Sequence, residues 1–207
     1  MCKNVLKIMM ATLLMALSAS FVNAQVHVGD ILCEGDRVVS PALAGSEAMA
    51  VVFYVDASGQ HGWAVDLRDN GELAWGPNCY NSPLRDRTKT ATAVADIDGY
   101  KNTEVILKQR DDHPAFNAVD FENGWYLPAI GQLKRLYSKL DKVNASLSAV
   151  GGDELCPSDP NWECWSSTEY NVASAWYMNA SGELRCKDQT YNGTKDGRRV
   201  VRGVRNF

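Results

Sequence analysis

The chain lacks the patterns by which most catalytic sites are recognised. It has no Gly-x-Ser-x-Gly elbow, no His-Glu-x-x-His and no glycine-rich phosphate loop, so it carries none of the spacings of serine hydrolases, zinc peptidases or P-loop proteins. Its three histidines, His27, His61 and His113, stand in separate segments with no nucleophile motif beside them. A lone histidine next to a hairpin is more often packed or solvated than catalytic. Cys-x-x-Cys pairs and Cys/His clusters of zinc spacing are missing as well, which leaves a metal reading of the thiols without support. Asp96-Ile97-Asp98-Gly99 supplies half of a calcium loop, but the further oxygen ligands and the closing glutamate are not there. It reads instead as a capped turn. No metal or other cofactor is expected.

Positive charge is also short, with Lys and Arg totalling 21 against 25 Asp and Glu. Long apolar runs are absent except at the start. There Lys3 and Lys7 precede the largely apolar stretch Ile8 to Phe21 and the small residues of Val22-Asn23-Ala24, the pattern of a secretory signal cut after Ala24. The run is too short and too interrupted by Ala and Ser to span a bilayer, which takes about 20 apolar residues, and no cysteine at the cut invites lipidation. The expected product is exported to the periplasm, the cell surface or the medium, with no transmembrane segment. Residues 25–207 form one domain in this reading, with 19 basic residues against 25 acidic ones. Nucleic acid is not an expected partner. The charge is uneven, however, because Trp165 to Phe207 holds seven basic residues against four acidic ones.

Five cysteines remain after the leader: Cys33, Cys79, Cys156, Cys164 and Cys186. An oxidising compartment should pair some of them, and an odd number leaves at least one over. Cys156 and Cys164 bracket a proline-containing loop and are the first choice for a bridge; other connectivity stays open.

The early text is strand and turn. Ala50 to Val55 and His61 to Leu67 flank Asp56-Ala57-Ser58-Gly59 and read as a hairpin, and Asp69-Asn70-Gly71 turns into Leu73 to Trp75. Thr88 to Ala95 is compatible with a helix, and Asn102 is placed to cap a short one through Leu107. The clearest helix follows Trp125-Tyr126, with Pro128 in its first turn and Ile130, Leu133, Leu136, Tyr137 and Leu140 at helical spacing. Asn144 is a candidate cap for a further turn ending at Gly151-Gly152. Strands return with Ala173 to Asn179 and Leu184 to Lys187, and Arg199 to Phe207 makes a last strand. Strands at both ends with helices between predict an α+β fold whose termini can pair.

Gly124-Trp125-Tyr126-Leu127-Pro128, a helix, Trp165-Ser166-Ser167-Thr168-Glu169-Tyr170, Ala175-Trp176-Tyr177 and the ending Val201-Arg202-Gly203-Val204-Arg205-Asn206-Phe207 follow one another in a distinctive order. In that order the chain resembles the Lcl carboxy-terminal domain family, strongly over its last half and in order and character before that. These are exported bacterial domains with a C-type-lectin-like fold, related to the scaffold of the formylglycine-generating enzyme. Some relatives are variable proteins of diversity-generating retroelements. The resemblance implies small antiparallel sheets with two or more inserted helices and a non-catalytic, ligand-binding role.

Under it, Trp125, Leu127, Pro128, Trp165 and Trp176 are scaffold, and Arg205 is structural rather than ligand-binding. Tyr170, Asn171, Tyr177, Asn179, Arg185, Lys187, Asp188, Tyr191 and Asn192 fall in or beside turns. Their types supply contact area and adaptable hydrogen bonds on evolved binding surfaces. The ligand is then a protein or a glycan outside the cell. Two rivals stand beside this reading: an adhesin for anionic polysaccharide using Arg185, Lys187, Lys195, Arg198 and Arg199, and a thiol-dependent oxidase-like enzyme using Cys164 or Cys186.

Overall fold

A computed structural model describes residues 25–78, 82–156, 159–186 and 194–207. The expected leader, Cys79, and the expected contact residues Lys187, Asp188, Tyr191 and Asn192 lie outside the described residues.

Alternation of apolar side chains builds the centre. Strands β1 (Ile31–Cys33), β2 (Arg37–Val39), β3 (Ala48–Val55), β4 (Gly62–Asp66), β6 (Trp125–Tyr126) and β11 (Val204–Asn206) form an antiparallel sheet in the order β2-β1-β3-β4-β11-β6. Ile31, Val51 and Val65 point into one core, and Leu32, Ala50, Val52 and Ala64 into another. Burial on both faces explains why the sequence of β3 is a continuous apolar run rather than an alternating one.

A second sheet has the order β5-β10-β7-β8-β9, from β5 (Glu72–Ala74), β7 (Glu163–Asn171), β8 (Ser174–Asn179), β9 (Leu184–Arg185) and β10 (Arg198–Val200). Only the β10/β7 pair is parallel. This sheet too is covered on both sides: Cys164, Trp176 and Met178 enter the first core, while Trp165, Ala175 and Tyr177 enter the second. The α+β class expected from the sequence is the class the chain adopts.

Six α-helical segments fill the middle: α1 (Pro41–Ala44), α2 (Thr90–Val94), α3 (Gly99–Leu107), α4 (Pro114–Asn117), α5 (Ile130–Tyr137) and α6 (Leu140–Ala149). Leu133, Leu136, Val143 and Leu147 seal the first core. Among the described residues no helix is long and apolar enough to cross a membrane.

Several local expectations are corrected. Helix α3 starts at Gly99, and Asp98 caps it by accepting from Lys101 N at 3.0 Å, so Asn102 is interior. Pro128 lies before α5 rather than in its first turn, because Ala129 is the N-cap residue. The helix stops at Tyr137, where the Ser138 hydroxyl donates to Arg135 O at 2.7 Å, and restarts at Leu140. Asn144 sits inside α6, exchanging two hydrogen bonds with the Leu155 backbone. The last strand is two strands, one in each sheet, and Val201-Arg202-Gly203 is the crossing. The terminal strand β11 shares a sheet with β1 but pairs β4 and β6 instead.

Candidate functional site

The Trp165–Tyr170 motif is the stitching point of the fold. Between the pairs Trp165↔Tyr177 and Glu169↔Ala175 the β7/β8 ladder slips, so three β7 residues face one on β8. The backbone groups released there need other partners. Ser166 Oγ donates to Trp176 O at 2.7 Å and Ser166 O accepts Trp75 Nε1 at 2.8 Å. Ser167 N donates to Pro128 O at 2.8 Å. Thr168 Oγ1 accepts Ile130 N at 2.9 Å, closing an open donor of α5 that the Ala129 cap cannot. Glu169 pairs with Lys195, and Trp165 Nε1 donates to Leu73 O at 2.9 Å. All five side chains, Trp165 to Glu169, are buried. None is free to meet a ligand.

Asp96 joins this frame to the helices. Its Oδ2 accepts from Thr168 Oγ1 at 2.8 Å and Asn102 Nδ2 at 2.9 Å, and lies 3.5 Å from Arg87 Nη1. Those partners occupy Oδ2 of the carboxylate that the half calcium loop would have offered. Close approach is enforced nearby by two glycines: a Cβ at Gly99 would stand 2.5 Å from Leu127 O, and one at Gly131 would stand 2.3 Å from Val94 O.

Above Asp96 runs the irregular segment 82–89. It is pinned at one residue, because Arg87 N donates to Glu169 O at 3.2 Å and Arg87 O accepts Trp176 Nε1 at 2.8 Å. With Arg87 held, its neighbours Arg85, Asp86, Thr88 and Lys89 stay exposed. Between this segment and the 95–98 turn opens a cleft of about 610 Å³, lined also by Thr92, Ile97 and Asp98. The lining includes Ile97, an exposed large hydrophobic residue, and Tyr100, also exposed, follows three residues later in the first turn of α3. Tyr100 packs at a tilt against Phe121, with centroids 4.9 Å apart.

The five expected contact residues among the described ones do not form one surface. Tyr170 is half-buried, edge-on to Trp176 at 5.6 Å, and Asn171 Oδ1 accepts Ala173 N at 3.0 Å in the hairpin turn. At the other end of β8, about 17 Å away by strand rise, Asn179 bonds the Glu183 backbone and Arg185 pairs with Glu183 at 2.5 Å. Tyr177 is a correction: it is buried, edge-on to Trp165 at 5.8 Å, with the Arg199 guanidinium 3.9 Å over its ring. Neighbouring Trp176 and Tyr177 point to opposite faces, and because both faces are covered neither reaches solvent.

The basic patch is a second correction. Lys195, Arg199 and Arg202 are buried against Glu169, Glu163 and Asp69, and Arg198 donates to Glu72 O. The expected Cys156–Cys164 bridge is a third, since both are free thiols. Cys156 donates to the Tyr137 hydroxyl at 3.1 Å, and Cys164 is turned toward Trp165 O at 3.7 Å.

Trp125, Leu127, Pro128, Trp165 and Trp176 are buried, and Arg205 pairs with Asp36 at 2.6 Å. Of the cleft residues, Asp96, Ile97 and Asp98 drew notice in the sequence only as half of a calcium loop, and those of the 85–89 segment were not singled out. Their one signal was the stretch Arg85-Asp86-Arg87-Thr88-Lys89, dense in charge of both signs and without apolar periodicity.

No known family profile matches the chain, and no curated protein sequence matches it. A crystal structure of a fimbrial protein from Bacteroides ovatus superposes on it with a TM-score of 0.69 at 19% identity, over 88% of this chain and 49% of that one. The chain therefore spans about half the length of that protein. What the two share is the fold.

Proposed function

We propose that the chain is an extracellular, surface-associated protein without catalytic activity, whose C-type-lectin-like scaffold of the Lcl type presents the Arg85–Asp98 cleft to a ligand outside the cell. One observation carries this reading. The buried polar side chains of β7 are consumed inside the frame, while those of Arg85, Asp86, Thr88 and Lys89 project around the adjoining cleft with no hydrogen bond or ion pair among the described residues. A fixed frame beside free polar groups is the arrangement of a preformed site.

Three further points support it. The fold is shared with a fimbrial protein. Burial pushes the thiols of Cys33, Cys156 and Cys164 up, which keeps them protonated and poorly nucleophilic. Burial likewise pushes His113 down, between Trp75 and Phe116. The anionic-polysaccharide reading is weakened, because two of its five cations, Lys195 and Arg199, face inward.

The test is adsorption of fluorescent 25–207 protein to bacterial and animal cell surfaces. An Arg85→Ala/Lys89→Ala variant should lose about tenfold in affinity, and an Arg37→Ala/Glu47→Ala variant at the far edge strand should lose none. Equal adsorption by both variants would remove the cleft from the account.

A further inference from the structure

We infer that the cleft takes a neutral oligosaccharide, an inference that rests on the cleft being the binding face. The lining holds three cations, Arg85, Arg87 and Lys89, and three carboxylates, Asp86, Asp96 and Asp98. Their charges cancel, so the site has no net field to draw in an anion or a cation from a distance. What it offers instead is donors and acceptors side by side. The side chains of Arg85, Asp86, Thr88 and Lys89 make no hydrogen bond or ion pair among the described residues, whereas Arg87 and Asp96 are paired at 3.5 Å and Asp98 caps α3. Four outward groups therefore remain: two that only donate, one that only accepts, and one hydroxyl that does both.

A sugar hydroxyl is likewise donor and acceptor at once, and neighbouring hydroxyls on a pyranose can bond to a carboxylate and a guanidinium together. Carboxylate or phosphate ligands would leave Asp86 facing like charge. The volume of about 610 Å³ falls within the range of about 300–1,000 Å³ that suits small-molecule sites. A sugar ring also has an apolar face. Ile97 is 41% exposed in the lining, and Tyr100, 42% exposed two residues beyond it, is braced by Phe121 and by Tyr126 at 5.7 Å. An exposed aromatic ring already fixed in place provides contact at little entropic cost.

The experiment is calorimetric titration of 25–207 protein with neutral malto-, cello-, manno- and chito-oligosaccharides, and with oligogalacturonate and a heparin fragment as acidic comparisons. At least one neutral sugar should bind, with an affinity that changes less than about twofold between about 50 and 500 mM salt. Arg85→Ala and Asp86→Ala, both at exposed positions, should each weaken it about fivefold or more at unchanged melting temperature, and Tyr100→Ala should weaken it by a similar factor while the protein stays folded at the temperature of the titration. The inference is overturned if no neutral sugar binds, if the acidic probes bind better and fade steeply with salt, or if neutral-sugar binding survives in the Arg85→Ala/Asp86→Ala double variant. If cell-surface adsorption still depends on Arg85 and Lys89 while every neutral sugar fails, the binding face stands and its ligand is of another class, such as a peptide.

Discussion

Lys195→Met should lower folding stability by about 3–5 kcal/mol, measured by urea unfolding at neutral pH. Lys195 and Glu169 are both almost fully buried, the ammonium also donates to Val172 O at 3.1 Å, and it lies 4.8 Å over the Trp75 ring. Methionine keeps most of the volume but strands the carboxylate. Replacing both partners, as Lys195→Met/Glu169→Leu, should recover most of the loss, since an apolar pair of similar size carries no uncompensated charge. Failure of the double variant to recover would mean that Lys195 acts through its backbone contacts instead.

The same site predicts a pH dependence. Burial pushes the Glu169 carboxyl above its usual value, with Lys195 opposing. A carboxyl raised in the folded state gives stability that is fully present below its unfolded pKa, about 4.3, and is lost as pH climbs through the higher folded value. With the opposing cation gone the shift grows. Lys195→Met should therefore be least destabilised near pH 4 and should weaken toward pH 7, whereas a variant hurt only by packing would show the same deficit at both.

Arg202→Met should be comparably damaging, at about 3–5 kcal/mol. Arg202 is fully buried where the chain passes from one sheet to the other, and its guanidinium donates to Asp66 O at 2.9 Å, Asp69 Oδ1 at 2.6 Å and Asp153 O at 2.7 Å. Three acceptors in three directions match a planar fork and not a single ammonium. Arg202→Lys should thus recover little of the loss. A lysine variant as stable as the parent would show that the fork is dispensable.

Both predictions concern residues whose place could not be read from the sequence. Lys195 looks like a solvated loop charge, and Arg199 and Arg202 look like solvated strand charges, because strand periodicity assigns faces but cannot tell when both faces are covered. Their partners, Glu169, Glu163 and Asp69, lie 26 to 133 residues away. Tyr177 was misplaced for the same reason. By contrast, the first hairpin, the helix after Tyr126 and the α+β class were legible, because turn chemistry and apolar spacing are local signals. The half calcium loop shows the limit in miniature: a capped turn was recognisable, but the cap is Asp98 rather than the expected Asn102, and Asp96 acquires its role only from Thr168, Asn102 and Arg87. The cleft was hidden because its residues come from an irregular segment pinned by Arg87 backbone bonds to Glu169 and Trp176, and no periodicity marks such contacts.

Lysine footprinting on protein adsorbed to a cell surface tests the binding face without knowledge of the ligand. Lys89 lines the cleft, whereas Lys134 and Lys139 lie exposed on and just after α5. The account predicts that adsorption slows acylation of Lys89 by about tenfold or more and leaves Lys134 and Lys139 at their free-solution rates. Protection of Lys134 and Lys139 with Lys89 unchanged would contradict it.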